Sequence, residues 1–213
     1  MRNKHHVLKT VLLSLLVCGS MAACSTKFKN LHSEMDPSLA GIDMQNARVI
    51  INHAKAGTAP SYGKVYDLSG IYFSNCMKDI ATHYNPSVKL AKNVSSELNM
   101  ITELREKKDV DYLIFGNINN WEDHATEWNG IPDRINIDIK LYDVASGNVL
   151  AEEHFMSSSK WATFGGDHPQ DLLAKPIIDI FKKWFRSDKV LNPKIFPCEN
   201  RNLQYNYSNR PQQ

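Results

Sequence analysis

The sequence predicts an α+β domain: a mixed sheet with helices on one face, in the order β-α-β-α-β-β-β-α. Three observations predict it. Arg134–Tyr142 alternates strictly, Ile135, Ile137, Ile139 and Leu141 against Asn136, Asp138 and Lys140, as a half-buried strand does. Two short apolar runs are each followed by an amphipathic helical segment, which makes two crossover units. A hairpin and a last amphipathic helix then close the chain. With 213 residues, 42% of them hydrophobic, the protein can bury one core and still carry appendages.

Each element has its own signal. Ala47–Ile51 is an apolar run suited to a buried strand. Residues 55–67, with Gly57, Pro60 and Gly63, read as a loop. From Leu68, the residues Ile71/Tyr72, Cys76, Ile80 and His83/Tyr84 recur at helical steps until Asn85-Pro86 stops them. Ser87–Ala91 makes a brief strand. Ser95 or Ser96 can cap a second helix that carries Leu98, Ile101 and Leu104 to about Lys108. Val110–Ile118 has strand composition. The turn Ala145-Ser146-Gly147-Asn148 joins the alternating strand to Val149–Ser157. Leu173, Ile177, Ile180/Phe181 and Trp184/Phe185 define the last helix, with Pro176 in its first turn.

The amino terminus reads as a secretory leader: a basic start, an apolar run Val11–Val17 broken by Ser14, then small residues. That run is shorter than the roughly 20 residues that cross a bilayer. Met21-Ala22-Ala23-Cys24 resembles a bacterial lipobox, in which small residues precede a cysteine that receives a diacylglycerol before cleavage. Cys18 fits less well, because bulky Val17 precedes it. By the same resemblance Ser25, in place of Asp, implies sorting to the outer membrane. The expected layout is a signal peptide over 1–23, a lipid-anchored tether over 24–45, one α+β domain over 46–186 and an irregular Asn/Pro-rich tail over 187–213. Three of the 25 Lys+Arg and none of the 23 Asp+Glu lie in the leader, so the remainder is net −1. A charge so near zero excludes a global nucleic-acid binder.

An exported domain sits in an oxidising compartment. Once Cys24 is lipidated, Cys76 and Cys198 are the two thiols left, an even number that allows one bridge; a buried free Cys76 with an exposed Cys198 is the alternative.

Two segments are richer in chemistry than the rest, Trp121–Arg134 and Trp161–Leu173. Their stretches WEDHATEW and WATFGGDHPQDLL closely resemble the signatures of an uncharacterised family of proteobacterial lipoproteins, a domain of unknown function. The resemblance covers most of residues 45–186 and implies an envelope location and a single domain; it supplies no activity, substrate or catalytic residue. The element order also resembles the amino-terminal domain of TolB and related periplasmic lipoprotein domains, in topology alone.

Asn129-Gly130 is the dipeptide of a two-residue hairpin loop. Such a loop sets Ile118 against Leu141, but it also sets Asn120, Glu122 and His124 against Ile139, Ile137 and Ile135. Either a β-bulge between Asn120 and Trp128 shifts the register, which is the favoured expectation, or the polar groups form a deliberate polar site. The expected interaction surface is Trp121, Glu122, His124, Glu127, Trp128, Trp161, Asp167 and His168, aromatic groups beside carboxylates. No HExxH helix, GxSxG elbow or Cys-His pair at catalytic spacing occurs, and no catalytic residue, metal ligand or cofactor is assigned. The expectation is a non-enzymatic, periplasm-facing outer-membrane lipoprotein, held to the membrane by its lipid and binding an envelope protein or glycan. The alternative is a metal-assisted hydrolase that uses the Glu122/His124 and Asp167/His168 clusters. A third reading is a structural subunit of a lipoprotein ring or secretion assembly.

Overall fold

The computed structural model describes residues 26–124, 130–159, 168–196 and 198. Its elements are β1 (Lys27–Met35), β2 (Val49–His53), β3 (Gly57–Ala59), β4 (Lys64–Tyr66), α1 (Ser69–Tyr84), β5 (Lys89–Val94), α2 (Glu97–Lys107), β6 (Tyr112–Glu122), β7 (Arg134–Asp143), β8 (Val149–Ser158) and α3 (Ala174–Trp184). Short 3₁₀ turns cover Pro37–Gly41, Pro169–Leu172 and Pro193–Ile195. Six strands form one mixed sheet in the order β1-β8-β7-β6-β2-β5, and β3 pairs with β4 apart from it. The pairs β6/β2 and β2/β5 are parallel, whereas β1/β8, β8/β7 and β7/β6 are antiparallel. The fold is therefore α+β, a six-stranded mixed sheet with three helices.

The core lies between the sheet and the pair α1 and α3. Inward residues Ile114, Ile135, Ile137, Ile139, Leu141 and Phe155 meet Phe73, Met77 and Ile80 of α1 and Ile177, Phe181 and Trp184 of α3. Gly116 marks the closest approach: a Cβ there would lie 2.5 Å from Phe73 Cε1 and 2.6 Å from Met77 Cε, so only glycine lets α1 settle on β6. Past the end of the β2/β6 ladder, buried Asn52 takes over. Its side chain donates to Gly116 O at 2.9 Å and accepts from Gly116 N–H at 2.7 Å, satisfying both backbone groups.

The expectation that all helices share one face is corrected by α2. Its Met100 and Leu104 pack with Leu113, Tyr142 and Val144 in a second, smaller core on the other side. The reason is handedness. The first crossover runs outward from β2 to β5 and the second runs back from β5 to β6, so two crossovers of the same hand put their helices on opposite faces. Leu98, expected on the buried face of α2, is 74% exposed, and Met100 takes that role.

Residues 24–45 are no simple tether. Over Lys27–Met35 the chain forms an edge strand on β8, and Leu39 and Met44 are buried in the main core. The region expected as loop 55–67 contains the β3–β4 hairpin. At the far end Cys76 and Cys198 form a disulfide, Cα to Cα 4.6 Å, and the Phe196 ring lies 4.8 Å from that of His83. The first part of the tail is thus clasped to α1.

Candidate functional site

The β6–β7 register decides where the first signature segment points. From Tyr112↔Asp143 to Ile118↔Ile137 the pairing is regular; it then slips, and Asn120 faces Asn136, Trp121 faces Ile135 and Glu122 faces Arg134. A bulge at Asn119 has inserted one extra residue. It lies just before the expected interval, and the strands end at Glu122 and Arg134; Asn129 of the expected Asn129-Gly130 turn lies outside the described residues. Ile118 therefore opposes Ile137 and not Leu141.

The extra residue reverses the facing of everything after it. Trp121 turns inward and is 2% exposed, so its side chain packs in the core. The β3 backbone lies directly on it: a Cβ on Gly57 would come within 2.8 Å of Trp121 Cβ and 2.6 Å of Ile118 Cγ2.

Glu122 takes the opposite face and is also largely covered. Its Oε1 accepts from Asn120 Nδ2 at 3.0 Å; its Oε2 lies 3.2 Å from His124 Nε2 and 3.6 Å from the Arg134 guanidinium. The His124 ring packs edge-on against Tyr62, with centroids 5.7 Å apart. These two side chains, expected at the surface, form a partly buried network that fixes the strand end.

Asp133 completes that end. Its Oδ1 accepts from the His124 N–H at 2.7 Å, its own N–H donates to Ser159 Oγ at 2.9 Å, and the Ser159 N–H donates to its carbonyl at 3.0 Å. One residue therefore ties the exits of β6 and β8 together. Burial pushes its carboxyl up to about 6, the His124 N–H opposes that rise, Asp123 adds to it, and His124 and His168 counter it.

The two signature segments meet through a different pair. Asp123 Oδ1 lies 3.8 Å from His168 Nδ1, with side chains 41% and 52% exposed. The Asp123 N–H donates to the Tyr66 hydroxyl at 3.2 Å, and that hydroxyl donates to the Asp123 carbonyl at 3.4 Å. His168 begins the Pro169–Leu172 turn, where its N–H donates to Asp171 Oδ2 at 2.9 Å. A half-open cleft of about 440 Å³ lies here, lined by Lys64, Tyr66, Tyr72, Trp121, Asp123 and His168 among others. It offers an acid, an imidazole, an ammonium and two phenols, a set that can hydrogen-bond a polar ligand.

Glu122 and His124 are not part of this lining, so the expected Glu122/His124 and His168 clusters do not converge on one cavity. Glu127, Trp128, Trp161 and Asp167, like Cys24, lie outside the described residues. Among the described residues no three His, Cys, Asp or Glu side chains group as metal ligands would. A larger cleft, about 700 Å³, opens at the other end of the sheet beside Arg48, Arg105 and Asp111, away from both signatures. Sequence reasoning missed Lys64, Tyr66 and Tyr72. Their nearest signal was the run of tyrosines Tyr62, Tyr66 and Tyr72 in a segment read mostly as loop.

No curated protein matches the chain. Among solved structures, the fold is similar to that of PelC from Paraburkholderia phytofirmans, described as a dodecamer: 10% identity, 78% of this chain and 100% of that one covered, TM-score 0.55. Weaker likenesses are to protein XCC0632 from Xanthomonas campestris (10% identity, 70% and 85% covered, TM-score 0.41) and to lipoprotein GNA1162 from Neisseria meningitidis (11% identity, 66% and 99% covered, TM-score 0.38). In sequence, the model of a domain of unknown function, DUF4823, matches residues 44–184. That match begins at the buried Met44 and ends at the last residue of α3, taking in both signature segments, and the chain belongs to the DUF4823 family.

Proposed function

We propose that this protein is a periplasm-facing lipoprotein of the outer membrane whose domain binds another envelope component without catalysing a reaction. The observation that carries the reading is the leader ending in Met21-Ala22-Ala23-Cys24, followed almost at once by a folded domain. The diverted side chains of the first signature support the non-catalytic part: Trp121 serves the core, and Glu122 and His124 serve the strand end. Among the described residues, Asp123 and His168, beside Tyr66 at the cleft, are the exposed signature side chains left for a partner, protein or glycan. PelC's dodecameric form is a reason to measure the assembled mass of this protein too. The test is intact mass and membrane fractionation of wild type and Cys24→Ala. Wild type should carry added acyl mass in outer-membrane fractions, and the variant should remain unprocessed or unlipidated; wild type processed without added lipid overturns the reading.

One observation favours a second reading. The Asp123–His168 pair at 3.8 Å faces a cleft large enough for a small substrate, the minimum arrangement for acid–base hydrolysis. Elemental analysis of the purified protein, with ester and glycoside hydrolysis assays on His168→Ala, separates the two. Bound stoichiometric metal, or an activity lost in that variant, replaces binding with catalysis.

A further inference from the structure

We infer that the first half of β1 and the sheet corner beside it form a docking surface for anionic phospholipid headgroups, which holds the domain against the membrane that carries its anchor. The inference rests on lipidation of Cys24. Only residues 25 and 26 separate that cysteine from Lys27, so the connection reaches at most about 10 Å. The start of β1 is therefore kept at the headgroups for as long as the lipid is inserted.

What β1 presents there is suited to them. It is the sheet's edge strand, with β8 as its neighbour among the described residues, and all nine of its residues are exposed. The register gathers positive charge at the end where the anchor enters. Ser158 of β8 pairs with Lys27 on one side and Arg134 on the other, while Met156 pairs with Lys29 and Asn136. Directly opposed residues in antiparallel strands share a face. Lys27, Lys29 and Arg134 thus stand on the same open face of the sheet, around Met156, which is 37% exposed. Leu31 at the bulge is 40% exposed, and Phe28, 41% exposed, lies on the opposite face of the strand against Phe155. Cations around an exposed apolar side chain suit the boundary between headgroups and acyl chains. Two acids lie at this corner among the described residues: Glu122, which already faces His124 and Arg134, and Asp133, which is 1% exposed and turned away from the open face's solvent.

A second copy of the chain is the other occupant an edge strand invites. Lysines on the edge and the bulge between Asn30 and His32 both oppose strand-to-strand pairing, so the same features that suit lipid disfavour a copy.

The test uses the full chain with its own anchor, reconstituted into phosphatidylcholine vesicles with or without phosphatidylglycerol, and reads amine labelling by peptide mass spectrometry. Lys27 and Lys29 should label several-fold more slowly in the anionic vesicles, Lys92 on the opposite edge should not change, and high salt should erase the difference. Intact mass is taken first. An unacylated chain withdraws the anchor and the docking surface together. An acylated chain with equal labelling in both vesicles overturns the docking surface alone. Protection that follows protein concentration and ignores lipid charge also overturns it, and assigns the edge to contacts between copies.

Discussion

His124 Nε2 lies 3.2 Å from Glu122 Oε2, with side chains 10% and 11% exposed. A carboxylate so covered depends on its partners. Glu122→Ala should remove the acceptor for Asn120, His124 and Arg134 and cost about 1–3 kcal/mol in urea unfolding. Asp123→Ala and His168→Ala break an exposed pair and should stay within about 0.5 kcal/mol. If partner capture from whole envelopes falls in the second group while stability does not, the cleft is the binding site; unchanged capture would make both signatures structural.

Trp121→Ala keeps the Cβ that Gly57 approaches and removes a buried indole from the main core. The loss should be about 3–5 kcal/mol, read by thermal and chemical denaturation. A loss below about 1 kcal/mol would contradict the core position.

Asp133 makes stability depend on pH in an unusual direction for an acid. Its carboxyl is raised from 3.8 to about 6 by burial, so the folded protein holds a proton that the unfolded chain releases between those values. Its contribution therefore improves as pH falls from about 6 toward 4, and above pH 6 the charged form carries a full penalty, on the order of 1–3 kcal/mol. Asp133→Asn keeps an acceptor for the His124 N–H and lacks the titration. Comparing urea midpoints of the two proteins at pH 4.5 and pH 7.5 (about a unit and a half either side of that value) checks it: the variant's advantage should be full at the higher pH and shrink to about a third at the lower.

The Cys76–Cys198 bridge spans a sequence separation of 122 and closes the tail onto α1. Reduction, or Cys76→Ala with Cys198→Ala, should lower stability by roughly 4–5 kcal/mol. Non-reducing peptide mapping that finds both thiols free would remove the clasp.

Elements with a buried stripe were legible in the sequence. Arg134–Tyr142 shows its alternation because one face is core, and Asn85-Pro86 ends α1 where the periodicity breaks. β1 was hidden for the opposite reason: every residue is exposed, so no apolar period marks it, and its own bulge near Leu31 breaks the alternation. The location of α2 was recoverable from crossover handedness once β5 is known to lie outside β2, a pairing that local pattern does not encode. At the site, the conflict between Asn129-Gly130 and the isoleucine alternation correctly signalled an irregular register. The step falls at Asn119, ahead of the polar run, and that position decides which signature residues are core and which meet the cleft.

That single extra residue works as a phase switch between two reading frames of one strand. Up to Ile118 even-numbered residues face α1 and α3; after it the odd-numbered Trp121 does. A relative lacking the residue at 119 would have to place its large aromatic one position away from where a gap-free alignment puts it. Deleting Asn119 here, with nothing else changed, would present an indole to solvent and bring the carboxylate of Glu122 to the core.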